Sequence, residues 1–364
     1  MRGRLNSRMT WKYKREKTLW YVYPVHHTVS FTLVARKYIE QLRKAFTVQE
    51  VGEKGFLNIF PATYPTVLIH PLIYIAGGNF EKYMFVRSRF NKVLGFEVAD
   101  SDRISDSAVN ICNTADAIIL PSNFAKESYI NSGVNVPIYV VPHGLGDEYY
   151  RSPREPKREE LRLIKRIKEE KNYVYLLFFL WHSGHRKGAD LVYHTINKLS
   201  KERPNVVLIL KGSGLSIGAS LSFDQSKTVL ITGWLDNDDV VDLYDLADIY
   251  PLFSRGGGFE LNGLEALARG VITLAAEKGS WTDYLPKEFL LPIARWVDVL
   301  PGNPYHVGKG PEIDVDKAVD RLVEIIDDLD EWKAKAREYA EKVKERFSWT
   351  KIGEQLIKVV ENYV

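Results

Sequence analysis

The sequence predicts an α/β fold of two doubly wound domains that face each other across a cleft. Short apolar segments alternate with amphipathic ones along most of the chain, the pattern of parallel sheets covered by helices. At 364 residues the chain is too long for one ordinary domain and suits two, since domains cluster at about 100–200 residues. The alternation breaks at RSPREPKREE (151–160), where two prolines and dense charge read as a linker or surface excursion. This divides the chain into a first domain, 1–150, opened by a basic tail 1–17, a second domain, 151–345, and a closing segment 346–364.

TLWYVYPV (18–25) reads as a strand, and TLVARKYIEQLRKAF (32–46) as a helix with Leu33, Tyr38, Leu42 and Phe46 near one face. TVLIHPLIYIA (66–76), NKVLGFEV (91–98) and DAIILPS (116–122) read as strands, with a helix at SDSAVNICNTA (105–115). NFAKESYINSG (123–133) is a helix with Ser122 or Asn123 as its N-cap and Gly133 just past its end. PIYVVPHG (137–144) closes the first half as a strand. After the linker, LRLIKRIKEEKN (161–172) is amphipathic and YVYLLFFL (173–180) is apolar throughout, as a buried parallel strand must be. The second half continues with helix ADLVYHTINKLSKE (189–202), strands NVVLILKG (205–212) and TVLITGW (228–234), and helix NDDVVDLYDLA (237–247). Strand IYPLFS (249–254), helix LNGLEALARG (261–270) and strand VITLAAEKG (271–279) follow, and from about 315 the chain is nearly all helix.

An apolar share of 45% and a charged share of 27% exclude a disordered chain, a collagen-like repeat and a disulfide scaffold. The single cysteine, Cys112, rules out an internal disulfide and a cysteine zinc cluster, and predicts a reducing, cytoplasmic setting. The apolar run 173–181 is half the length that would span a bilayer. The net charge of +3 hides an asymmetry: residues 1–17 carry seven Lys or Arg against Glu16, or +6, so the rest sums to −3. A nucleic-acid partner for the body is therefore not expected. The tail reads first as solvated chain and second as a peripheral contact with anionic lipid, where each basic residue contributes about 1 kcal/mol. Gln occurs only at 41, 49, 225 and 355 while Lys, Glu and Arg abound, a hint of a thermophilic source.

Two segments carry chemistry. In SRGGGFELNGLEALARG (254–270) three glycines lie between a strand and a helix, so backbone can approach a ligand closely beside free helix N–H groups. That is an anion site, lined by Gly257, Gly258 and Phe259. Glu265 lies just inside the helix, where its carboxylate either accepts bonds from ribose or sugar hydroxyls or complements the helix dipole. In WHSGHRKGADLV (181–192), Arg186 and Lys187 precede a glycine that opens a helix. The two cations either hold a diphosphate from two sides or form a solvated basic loop. His182 and His185 lack the carboxylate pattern of a metal site, and no metal is expected.

The order RKG-helix, KGSG (211–214), TGW (232–234), IYPLFS-RGGGFE-LNGLEALARG resembles the donor domain of family 4 glycosyltransferases, which have the GT-B fold. FEVADSDRIS (96–105), ADAIILPSNFAKESYINSGV (115–134), IYVVPHG (138–144) and FSWTKIGEQLIKVV (347–360) extend the likeness, the last to a terminal helix that crosses back onto the first domain. The resemblance implies transfer of a sugar, with retention and without metal or cofactor, from a UDP- or GDP-linked donor to a hydroxyl of a glycan, glycolipid or small molecule. Lys187 matches the lysine of the family's diphosphate-binding pair. The arginine's usual place holds Trp181 and His182, so Arg186 substitutes from the adjacent position. Glu265 matches the second of two glutamates eight apart, which binds the ribose. The first falls on Gly257, and Glu260 is the candidate to replace it. The base is expected on backbone near Trp234 and Leu235.

The family's catalytic histidine position falls on Glu97 or Val98. The catalytic candidates are therefore Glu97, Asp100 and Glu260, with Asp102 and Arg103 nearby. Loop carboxylates also serve as caps. His70, His26 and His27 end other strands, and His143 sits at the crossover with either a structural bond or a place near the cleft. Gly77-Gly78-Asn79 reads as a turn. Two competing readings follow: another GT-B enzyme, such as a sugar-nucleotide epimerase or a phosphorylase, and a non-catalytic nucleotide-sugar-binding protein, suggested by Gly257.

Overall fold

The first sheet contains β1 (Thr18–Tyr23), β2 (Thr47–Gly52), β3 (Thr66–Ile69), β4 (Lys92–Phe96), β5 (Ala117–Leu120) and β6 (Ile138–Val140) in the order β2-β1-β3-β4-β5-β6, all parallel. The second contains β7 (Val174–Leu180), β8 (Val206–Gly212), β9 (Thr228–Ile231), β10 (Ile249–Leu252), β11 (Ile272–Ala276) and β12 (Leu290–Leu291) in the order β12-β11-β10-β7-β8-β9, also parallel. An antiparallel hairpin, β13 (Ile293–Asp298) and β14 (Lys309–Ile313), is added to the second domain. These features come from a computed structural model that describes residues 17–27, 29–180, 183–212 and 224–364. Most of the basic tail, Trp181, His182 and the Ser213-Gly214 end of KGSG lie outside the described residues.

The apolar runs of β7 and β8 are buried almost throughout, because helices cover both faces of the sheet. Strand order reverses between β1 and β3 and again between β7 and β10. Ligands in such sheets sit at the carboxyl ends of strands beside the reversal. The loops after these four strands therefore define where a site can form.

Several expectations are corrected. The apolar stretch 66–76 is β3 followed by helix Leu72–Gly77, because Pro71 has no N–H to continue a ladder. β2, with alternating exposure at the sheet edge, lacks the apolar run that marks its neighbours. Helix Phe80–Arg87 and the hairpin likewise went unread from sequence. Of the two readings of 151–160, the segment is the surface excursion, a strap fixed to the second domain. Arg151 and Arg154 both bond the buried Asp242 of helix Asn237–Leu246, and Arg154 also lies 2.9 Å from Asp238.

The domains meet in several places. Helix Trp349–Glu361 lies on helix Ser30–Leu42 so closely that a Cβ on Gly353 would be 2.6 Å from Gln41 Cβ, and the Trp349 ring meets Tyr38 at 5.2 Å. Beside the crossover, Leu145 N–H donates to Phe347 O at 2.8 Å. The hairpin reaches the loop after β4: Ser105 N–H donates to Tyr305 O (2.8 Å) and Asp102 N–H to Lys309 O (2.9 Å). Ser122 Oγ donates to Gly258 O (2.9 Å), and Asn123 N–H to Asp283 Oδ2 (2.8 Å).

Candidate active site

The loops after β7 and β10 interlock. Gly188, with φ +71°, turns the chain into helix Ala189–Glu202, and a Cβ there would lie 2.0 Å from Phe253 O. Only glycine satisfies both the left-handed backbone and the close approach. Arg255, 2% exposed, ties the two loops together. Its guanidinium bonds both oxygens of Asp190 (2.7 and 2.6 Å), Glu312 of β14 (2.8 and 2.6 Å) and His185 O (2.6 Å). Its backbone N–H donates to Arg186 O at 2.8 Å. Burial opposes ionisation of Glu312, yet the bonds from Arg255 and Arg295 hold its carboxyl below the usual range. A buried cation needs such partners. Sequence reasoning missed this network. The one local signal is a charge placed between a buried strand and the glycine triplet.

That framework presents Arg186 and Lys187. Lys187 Nζ donates to both Glu260 oxygens (2.7 and 2.6 Å). Arg186 Nη1 donates to Gly256 O (3.0 Å) and lies 3.5 Å from Asp100 Oδ1 and 3.6 Å from Glu260 Oε1. Glu260 has φ +59°, a left-handed backbone that non-glycine residues seldom adopt, at the start of helix Leu261–Ala268. Its carboxylate fills the space beside Gly257, where a Cβ would come 1.9 Å from Glu260 Oε1. A Cβ on Gly258 would meet Val98 Cβ of the first domain at 2.5 Å. Glu265 is held inside the same helix by Tyr244 OH (3.0 Å), and burial pushes its pKa up to about 7.

The first domain contributes Val29, Phe31, Val34, His70, Val98 and Asp100, and the crossover contributes His143. Tyr21 OH lies 3.0 Å from His70 Nδ1, and Tyr38 OH lies 3.0 Å from His143 Nδ1. Burial lowers both imidazoles, His143 to about 3, so both are neutral near pH 7.

These groups enclose an interdomain cavity of about 530 Å³, large enough for a drug-sized ligand. The structure brings Asp100, Arg186, Lys187, Gly257, Gly258, Phe259, Glu260 and Glu265 to its walls. Glu97 does not line it. Its carboxylate is sealed under helix Leu72–Gly77, where one oxygen accepts the Ile73 N–H and the other has no partner. Burial pushes its pKa up to about 8. Trp234, 71% exposed just past β9, and Leu235, buried in the core, also lie away from the cavity walls. His27 pairs with Glu53 (3.2 Å), and Asp102 Oδ1 accepts the Lys309 N–H (2.7 Å). A larger hollow, about 790 Å³, lies at the amino end of β7 beside Lys168, Asp248 and Lys333. Its buried carboxylate, Asp248, is already paired with both lysines. Among the described residues no cluster of metal-ligating side chains occurs, and no helix is long and apolar enough to cross a membrane.

Residues 157–292, which include the cation loop and the glycine loop, match the family Glycosyl transferases group 1. The GDP-mannose-dependent monoacylated alpha-(1-6)-phosphatidylinositol monomannoside mannosyltransferase of Corynebacterium glutamicum is 29% identical over 186 residues, 49% of this chain and 44% of that protein. The solved structure "Trehalose-6-phosphate from E. coli bound with UDP-2-fluoro glucose" superposes with a TM-score of 0.68 at 11% identity, over 95% of this chain and 99% of that one. With its two facing sheets, the molecule is a glycosyltransferase of the GT-B fold. It is 37% identical over 360 residues to Uncharacterized protein 356 of Sulfolobus islandicus rod-shaped virus 1, covering 96% of this chain and 99% of the viral one. The chain belongs to the same family as that viral protein.

Proposed function

We propose that the protein transfers a sugar from a UDP- or GDP-linked donor to an acceptor hydroxyl, with retention of anomeric configuration and without a metal ion. The observation that carries this is the Arg186-Lys187 pair, seated between Glu260 and the glycine loop with Glu265 on the same cavity wall. As the glycosidic bond breaks, the leaving diphosphate gains negative charge. Arg186, Lys187 and the backbone N–H groups of the glycine loop stabilise that charge.

To meet Lys187 the diphosphate takes the place of the Glu260 carboxylate, which is then free to face the donor sugar beside Gly257. Glu265 accepts the ribose hydroxyls, and the base extends past β9 toward Trp234 and Leu235. Asp100 orients Arg186. The narrow gap between Gly258 and Val98 keeps water from the donor. Two names support a nucleoside diphosphate donor: the corynebacterial relative is GDP-mannose-dependent, and the E. coli structure holds UDP-2-fluoro glucose. The same relative's phosphatidylinositol monomannoside supports a lipid-linked acceptor, to which residues 1–17 would bring the enzyme by contact with anionic lipid.

Calorimetric titration with UDP, GDP, ADP, CMP and dTDP in the presence of chelator tests this reading. One nucleotide should bind, and Lys187→Ala and Glu265→Ala should each weaken it. Lys187→Ala should also cut turnover at least ~10²-fold. Silence from all five nucleotides would overturn the assignment.

A further inference from the structure

We propose that His143 contacts substrate: its Nε2 accepts a hydrogen bond from a hydroxyl of the donor sugar or of the acceptor, and Tyr38 holds the ring in the tautomer that makes this possible. This role presupposes the glycosyl transfer proposed above. Tyr38 OH lies 2.8 Å from Pro142 O, 3.1 Å from Val141 O and 3.0 Å from His143 Nδ1. A phenol has one proton. Two carbonyl oxygens have none to offer, so the phenol proton points to them and the third contact holds only if His143 Nδ1–H donates to the Tyr38 oxygen. The imidazole is neutral, because burial lowers its pKa to about 3. With its one proton on Nδ1, Nε2 carries a lone pair.

Among the described residues no side chain or backbone group bonds Nε2; the ring's one hydrogen bond is at Nδ1. The ring lies flat beside Phe96 (centroids 6.1 Å, interplanar 18°) and meets Phe259 of the glycine loop at 5.2 Å. It is 7% exposed and lines the cavity. A lone acceptor in an apolar wall takes its donor from whatever fills the space, and it stays unsatisfied if the occupant has none. Carboxylates and phosphates have no proton to give at neutral pH, whereas sugar hydroxyls do. A purely structural histidine would account for the Tyr38 bond but not for a second nitrogen left open at the junction of both domains.

Two substitutions separate these roles. Asn at 143 can keep an N–H for Tyr38 but places nothing at the Nε2 position, whereas Gln places an amide oxygen near that position. For His143→Asn we expect kcat/KM to fall about tenfold or more with the folding midpoint and nucleoside diphosphate affinity unchanged. For His143→Gln we expect kcat/KM within about threefold of wild type. A donor-sugar hydroxyl would show as weakened nucleotide-sugar binding, and an acceptor hydroxyl as a raised acceptor KM alone. Imidazole ¹⁵N NMR, with the His143 signal identified by its loss in the Asn variant, should show a protonated Nδ1. The proposal is overturned if His143→Asn keeps full activity, if both variants lose activity together with folding midpoint, or if Nε2 carries the proton. Absence of nucleoside diphosphate binding by the wild type refutes the glycosyl-transfer reading and this role with it. Binding with a fully active Asn variant refutes only the role of His143.

Discussion

Replacing Glu265 with Gln should stabilise the protein at pH 8, leave it unchanged near pH 4, and weaken nucleotide binding. Burial raises this carboxyl from the usual 4.5 to about 7, with Tyr244 OH donating to it. The native state therefore holds the proton more tightly than the unfolded chain does. For an acid with a raised native pKa, the stabilising contribution is complete below the unfolded pKa and is lost as pH rises through the native value. A gap of roughly 2.5 pH units at about 1.36 kcal/mol each amounts to about 3 kcal/mol lost by pH 8. Gln cannot ionise, and its amide oxygen still accepts from Tyr244. At about 2–4 °C per kcal/mol for a domain of this size, the variant's midpoint should gain about 6–12 °C on wild type between pH 4.5 and pH 8. Glu97, which burial raises to about 8, destabilises both proteins alike and cancels in the difference. Scanning calorimetry of both proteins at several pH values measures the effect. Ribose hydroxyls favour the ionised carboxylate, so nucleotide binding to wild type near pH 6 should also release a proton, seen as buffer-dependent binding heat. A midpoint difference that does not vary with pH would refute the reasoning.

Two further outcomes are expected. Arg255→Leu leaves Glu312, only 9% exposed, to the exposed Arg295 alone and takes both guanidinium bonds from Asp190, and should destabilise by about 3 kcal/mol in urea unfolding, with Arg255→Lys recovering little because a single ammonium cannot reach both carboxylates. A loss below about 1 kcal/mol would show that the network does not hold the loops. Gly258→Ala drives a Cβ toward Val98 across the cleft, so small-angle scattering should show the domains farther apart and transfer should fall while each domain still unfolds cooperatively. Unchanged scattering with full activity would contradict that contact.

What the sequence shows and what it hides follow from how far apart the partners lie. β7, β8, β10 and β11 are legible because strands covered on both faces are written as local apolar runs. The edge strand β2 has no such run, and helix Leu72–Gly77 shares its apolar signal with β3. In the site, RKG and GGGFE are legible because close approach and a helix start are coded within a few residues. The Arg255 network is not, since Asp190 and Glu312 lie 65 and 57 positions away. Tyr38 and His143 are 105 apart. Position alone puts Glu97 at the end of β4 among the candidates, and only the helix packed over it shows it sealed off.

The crossover and the closing helix run together at Leu145 and Phe347, while the hairpin grips the loop at 101–105. A rigid body pinned to another at two separate places keeps one degree of freedom, rotation about the line joining the pins. Any opening of the cleft that keeps both contacts would turn about the line joining them and would have to part the Ser122–Gly258 and Asn123–Asp283 bonds. Each residue of the cavity travels in proportion to its distance from that axis, so substitutions at either pin would redirect the stroke without touching a reacting atom.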